Sequence, residues 1–205
     1  MVVAYGCCVG SWHKFNQWVQ PSLRGKPLYA LGGQTSIARA YNSILDACAG
    51  RGYDALVLQH DDLEILTPDA EKIFLEALGD RRVALVGVAG SDLASMHWWN
   101  GNTLGHQLTD SGLLDFGQRW GDALMIEGSI MVLSPVMIEN LRFDTRYPGF
   151  LGYDDVCLTV SDWGFRSVVV DVDTHHHSTV GIKSDAVASD WQQTEELFNK
   201  KWGIR

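Results

Sequence analysis

Three adjacent residues, His60-Asp61-Asp62, follow the apolar run DALVLQ at 54–59. A buried strand ending there places an imidazole and two carboxylates where the chain leaves a sheet. Side chains alternate along a strand, so His60 and Asp62 are expected on one side. Carboxylate oxygens suit Mg²⁺ or Mn²⁺, and imidazole tolerates Mn²⁺. The plain alternative is a solvated turn whose aspartates cap the next element. A second segment, His175-His176-His177, follows the run SVVVDV at 167–172. Its side chains point alternately, so it reads as a ligand or phosphate-contact segment and not as a zinc signature, since neighbours cannot all reach one ion. Gly10-Ser11 closes a third run, VVAYGCCV at 2–9. Asp154 and Asp155 form an acidic pair at a helix start. Either suits a general base, and either suits simple capping and dipole pairing. In Trp98-Trp99-Asn100-Gly101 the indole faces can stack on sugar C–H surfaces or cover the sheet.

The elements that must position these groups are legible as periodicity. Apolar runs at 2–9, 27–31, 54–59, 83–88 and 167–172 read as strands, and two more are expected near 123–127 and 129–133. Residues 12–22 look helical. A helix over about 35–49 repeats Ile37, Tyr41, Ile44, Leu45 and Cys48 on one face. Thr67 can cap a helix with Pro68 at its first position, running to about Leu78. Further helices are expected near 154–163 and 188–202, the last presenting Trp191, Leu197 and Trp202 as core or as a homodimer face. Residues 89–121 show no steady period, and a loop of that length is functional or carries short elements. Alternating strands and helices indicate an α/β sheet with parallel strands. Ligands bind such sheets outside the carboxyl ends of the strands, where all three loaded segments fall.

The chain has 205 residues and a formal charge of −9. That charge argues against nucleic-acid partners and anionic membranes. An anionic ligand would need a local cation, from Lys/Arg or a metal. Four cysteines (Cys7, Cys8, Cys48 and Cys157) sit in apolar stretches without CxxC spacing. They read as buried hydrophobes in a reducing, cytoplasmic setting. The first residues read as a strand and not as a signal peptide, and no run reaches the ~20 apolar residues of an integral membrane segment.

The stretch SIARAYNSILDACAGRGYDALVLQHDDLEI resembles family 2 glycosyltransferases of the GT-A fold, with Ala40-Tyr41-Asn42 and His60-Asp61-Asp62 as the matching positions. Phe143-Asp144, Gly152-Tyr153-Asp154-Asp155-Val156-Cys157-Leu158 and Gly164-Phe165 resemble the later family segment, and His176 matches a histidine after the following strand. Two positions depart: His60 stands where Asp is frequent, and Tyr153-Asp154-Asp155 stands for Glu-Asp-x-Asp.

The resemblance implies a Rossmann-like, mixed but mostly parallel sheet flanked by helices. The length of 205 residues reads as one domain over 1–205, and the resemblance implies that 1–88 binds the nucleotide sugar and 89–205 the acceptor. It also implies an inverting transfer from a UDP- or GDP-type nucleoside-diphosphate sugar to a carbohydrate or other hydroxyl. Asp62, His60 and His176 would hold Mn²⁺ or Mg²⁺. Gly10, Ser11, Asn42 and Asp61 would meet the nucleotide. Trp98, Trp99 and Glu127 would meet the acceptor, and Asp154, ahead of Asp155, would be the base. Two other readings remain: a non-catalytic carbohydrate- or nucleotide-binding protein on the same fold, and a nucleotidyltransferase. The last is disfavoured because Val9-Gly10-Ser11-Trp12-His13-Lys14 makes a poor phosphate loop.

Overall fold

The structure is a computed structural model that describes residues 1–149, 152–178 and 185–204. From the amino terminus, β1 (Val3–Val9) leads into α1 (Trp12–Lys14), which continues as a π-helical stretch to Val19 and a 3-10 turn to Leu23. Then come β2 (Leu28–Gly32), α2 (Ile37–Cys48), β3 (Ala55–His60), β4 (Leu63–Ile65), α3 (Ala70–Ala77), β5 (Val83–Gly87) and β6 (Ala89–Ser91). The second half holds β7 (Thr103–Thr109), β8 (Gly112–Asp115), β9 (Gly121–Ala123), β10 (Met125–Ile126) and β11 (Ile130–Leu133). It closes with α4 (Pro135–Asn140), α5 (Tyr153–Asp162), β12 (Arg166–Val169), β13 (Thr174–His176) and α6 (Asp185–Trp202).

The inner strands are apolar throughout because both faces are covered. Leu56 and Leu58 of β3 join one core with α2, α4 and α5, whereas Ala55 and Val57 join another with α3 and the 15–23 stretch. Such burial removes the polar face that would otherwise give a strand its alternating pattern. On α2, Ile37, Tyr41, Ile44, Leu45 and Cys48 form the buried stripe, and the Ser36 hydroxyl accepts from Arg39 N to cap its start.

The main sheet has seven strands in the order β2-β1-β3-β11-β5-β12-β9. It is mixed, as expected, but less parallel than the sequence suggests. The pairs β1–β2, β1–β3 and β5–β12 are parallel, while β11 runs antiparallel to both β3 and β5 and β9 antiparallel to β12. Residues 89–121 are not one loop. They supply β6, β7 and β8 to a second sheet, ordered β10-β6-β7-β13-β4 with β8 on β7. The histidine segment supplies β13 of that sheet, in line with its alternately pointing side chains. The helix expected from Pro68 starts later, at Ala70, and Thr67 Oγ1 accepts from Asp173 N at 2.8 Å instead. All four cysteines are buried and unpaired. Among the described residues no helix is long and apolar enough to cross a membrane.

The carboxylate of Asp155 ties α5 to α6. It accepts from Tyr147 Oη at 3.0 Å and Trp202 Nε1 at 2.9 Å, and pairs with Lys201 Nζ at 2.7 Å. Asp155→Ala removes the common acceptor of three donors, two of them largely shielded from water. The expected loss is about 2–3 kcal/mol of stability, read as a drop in the urea midpoint. An unchanged midpoint would mean that α6 is held without this carboxylate.

Candidate active site

The site forms where β1 and β3 end side by side. Their register pairs Cys8 with His60, which brings Gly10-Ser11 against Asp61-Asp62. Ser11 plays two parts: its hydroxyl accepts from Lys14 N to start α1, and its own N–H donates to Asp61 Oδ2 at 2.5 Å. Lys14 joins the site from the end of α1. Its ammonium lies 2.8 Å from Asp62 Oδ2.

His60 and Asp62 face one side, and β13 brings His176 to them. His176 Nε2 lies 3.1 Å from Asp62 Oδ1 and 3.4 Å from His60 Nδ1. One donor atom from each residue lies within 4.8 Å of the others. Neighbouring ligands on an octahedral ion with bonds of about 2.1 Å sit about 3 Å apart, so two of these separations already suit one cation. Electrostatics favour His60 and Asp62 as ligands. Burial, aided by the nearby His176, lowers the His60 pKa, which keeps that imidazole neutral and its lone pair available. Burial works against ionising Asp62, but hydrogen bonds from His176 and Lys14 win and hold its carboxyl well below the usual range. Burial opposes charging His176, but the Asp62 hydrogen bond raises its pKa, so a cation bound there would displace the proton that His176 shares with Asp62. The donor set therefore fits a divalent cation. Two imidazoles and one carboxylate favour Mn²⁺ over the oxygen-seeking Mg²⁺.

His60, Asp61, Asp62, His176 and Gly10 line a cavity of about 270 Å³. His60 also borders a second cavity of about 200 Å³, whose walls include Trp98, Trp99, Glu127, Tyr153, Asp154 and Trp191. The residues expected at the acceptor thus lie together, one histidine away from the acidic turn. Trp99 is 50% exposed on the rim. Trp98 packs edge-on to Phe116, and Trp191 Nε1 donates to His97 Nε2 at 3.2 Å. Read from sequence as core or dimer face, Trp191 instead lines this cavity.

Glu127 is oriented by Ser129, whose N–H donates to Oε2 at 3.0 Å and whose hydroxyl bonds the same oxygen. Gly128 must be a glycine, because a Cβ there would lie 2.5 Å from the Tyr153 ring. That close approach lets the Tyr153 hydroxyl reach His60 Nε2 at 2.7 Å.

Asp154 and Asp155 diverge. Gly152, at φ 105°, turns the chain into α5 in a conformation that favours glycine, and the next two carboxylates point apart. Asp155 is turned to Tyr147, Lys201 and Trp202. Asp154 borders the second cavity, and its carboxylate bonds no other side chain among the described residues. Its pKa is raised well above the usual carboxylate value by burial first and then by the negative charges of Glu127 and Asp155. Asn42, expected at the nucleotide, is committed elsewhere. Its amide donates to Phe143 O at 2.9 Å and accepts from Phe143 N at 2.7 Å, which fastens α2 to the segment before α5. Both ends of the amide are used, so Asn42 is a structural clasp.

No family model matches the chain. It is 29% identical over 214 residues to the streptomycin biosynthesis protein StrF of Streptomyces griseus, covering 98% of this chain and 75% of that protein. Among solved structures it resembles the mannosyltransferase PcManGT of Pyrobaculum calidifontis in complex with GDP-Man and Mn²⁺, with TM-score 0.64 and 11% identity over 99% of this chain. It also resembles GalNAc-T7 with UDP, GalNAc and Mn²⁺, with TM-score 0.63 and 7% identity over 96% of this chain. The chain spans 64% of the first of these proteins and 48% of the second. The fold is that of the GT-A glycosyltransferases, as the sequence resemblance implied.

Proposed function

We propose that this GT-A chain is a metal-dependent, inverting glycosyltransferase that moves a sugar from a nucleoside-diphosphate sugar to a hydroxyl acceptor. The observation that carries the reading is the pair of adjoining cavities: a cation-competent cluster at the strand ends on one side of His60, and an unpaired carboxylate under tryptophans on the other. The residues of 1–88 would take the donor, with Gly10 and Ser11 near the nucleotide and Asp61 toward the ribose. Those of 89–205 would take the acceptor. A cytoplasmic location is the accompanying expectation from four free, buried cysteines.

A divalent ion held by Asp62, His60 and His176 would supply Lewis-acid neutralisation of the charge that develops on the leaving diphosphate. Lys14 adds positive charge beside Asp62, which matters in a chain of net charge −9. Trp98, Trp99 and Trp191 offer apolar faces to a sugar ring and narrow the access of water. Asp154 accepts the acceptor proton as the acceptor oxygen bonds to the anomeric carbon and the bond to the diphosphate breaks. Tyr153, bonded to His60 Nε2, would orient the ring so that Nδ1 faces His176.

The direct test is a panel of nucleoside-diphosphate sugars scored for nucleoside-diphosphate release, beside calorimetric titration of UDP and GDP with Mn²⁺ or with EDTA. One nucleotide should lose at least tenfold in affinity in EDTA, about 1.4 kcal/mol. No metal-dependent gain with either nucleotide would overturn the metal assignment. Metal-dependent binding without release from any donor would favour a binding protein on the same fold. A separate expectation concerns Tyr153→Phe, which frees the His60 ring. Loss of a hydrogen bond that orients a metal-bound histidine costs about 10–100-fold in metal affinity, measurable as the Kd for Mn²⁺. An unchanged Kd would remove His60 from the ligand set.

A further inference from the structure

The strand that delivers His176 to the first cluster must turn His175 and His177 to its other face. There β13 lies between β4 and the end of β7. Its register sets His175 opposite Glu64 and opposite Leu108, two residues before Asp110. One donor atom each from Glu64, His175 and His177 lies within 4.8 Å of the others. His177 Nε2 is 3.1 Å from Glu64 Oε2, and Asp110 Oδ1 is 3.3 Å from His175 Nε2 and 3.8 Å from His177 Nδ1. The rings of His175 and His177 lie 3.7 Å apart, and Trp18 stacks on His177 at 3.6 Å and 11°. The second imidazole is therefore locked in plane.

We infer that Glu64, His175 and His177, with Asp110 beside them, form a second divalent-cation site that is separate from the first and suited to Zn²⁺. A plain hydrogen-bond network accounts for His177 with Glu64. It leaves His175 Nε2 buried without a hydrogen-bond partner among the described residues, although a carboxylate oxygen is near. A nitrogen lone pair aimed among carboxylates is the arrangement a cation satisfies. Two imidazoles two residues apart and the Glu64 carboxylate from the neighbouring strand make a three-residue N/O set, the number of protein ligands an open zinc site takes. Such a set matches Zn²⁺ and ranks it above Mn²⁺ and Mg²⁺. Bound there, the ion clamps β4, β13 and the end of β7. The His177 N–H donates to Asp62 O at 2.8 Å, so the clamp also stiffens the backbone that aligns Asp62 and His176.

The test disables the first cluster with Asp62→Asn and His60→Gln, which leaves 175–177 intact, and titrates Zn²⁺ calorimetrically and by thermal shift. One equivalent is expected to bind and to raise Tm. Adding Glu64→Gln, His175→Gln or His177→Gln should weaken Zn²⁺ at least tenfold and abolish its effect on Tm. Each variant is scored against its own metal-free Tm, so reduced stability by itself does not mask the outcome. Absence of zinc binding in the parent background would overturn the proposal. So would zinc binding that persists undiminished through the three substitutions, which would place the ion on other groups such as the cysteines.

Discussion

Asp62→Ala is expected to reduce kcat/KM for sugar transfer by at least about 10³-fold, whereas Asp61→Ala reduces it about tenfold. Asp62 is the carboxylate among the three clustered donors, is only 8% exposed, and is held ionised by His176 and Lys14. Without it, two imidazoles remain, the ion is lost, and the charge on the departing diphosphate goes unneutralised. Removing electrostatic stabilisation of that kind has effects of about 10²–10³ for a single donor, and loss of a metal exceeds that. Asp61 instead accepts from Ser11 N, so its loss weakens binding of the ligand with little effect on chemistry. Steady-state assays at saturating Mn²⁺ on both variants, with circular dichroism as the folding check, decide the order. Small, equal effects would sink it. Asp62→Asn provides a second form that keeps the size and much of the hydrogen bonding of the native residue.

For Asp154→Asn the expectation is unchanged donor and Mn²⁺ affinity with turnover lowered by about 10²–10⁴, the usual weight of general-base catalysis. The same environment that prepares this carboxylate disfavours its charge. Burial and the negative Glu127 and Asp155 raise its pKa, so the basic form accumulates only as pH rises through a value above the ordinary carboxylate range. Activity should therefore climb with pH on an acidic limb displaced upward, and the residual activity of Asp154→Asn should lack that limb. Linkage gives the sign for stability. A folded-state pKa above the unfolded value contributes stability at low pH that is lost as pH rises through the folded value. At neutral pH the native carboxylate is thus a liability, and Asp154→Asn should melt no lower than the wild type. If turnover survives in Asp154→Asn, the base lies elsewhere, with Glu127 the next carboxylate in the same cavity. The contrast with Asp155 is diagnostic. Asp155→Ala should cost stability, and Asp154→Asn should cost turnover.

The buried strands, the main helices and the acidic turn can be read from the amino-acid order alone. β1, β3, β5 and β12 were legible because strands covered on both faces are apolar at every position, and α2 because its buried residues recur at helical spacing. A charged triplet directly after such a strand has nowhere to lie but the sheet's end, so His60-Asp61-Asp62 could be located without coordinates. Tertiary structure decided the rest, because it depends on pairings and rotamers that no local period records. The slot of β11 between β3 and β5, and its direction, follow from which strand edges remain open. The stretch from 89 to 121 lacks periodicity because its strands are short and belong to a small second sheet. His175, His176 and His177 are alike in sequence, yet strand alternation sends the middle one to Asp62 and the outer two to Glu64. Asp154 and Asp155 are equally acidic, yet Lys201 and Trp202, arriving from α6, claim one and leave the other to the cavity. Asn42 matches a family motif by type, but both ends of its amide are consumed by Phe143, about a hundred residues along the chain. Where two residues share a chemistry, the partner that reaches them through space assigns the role.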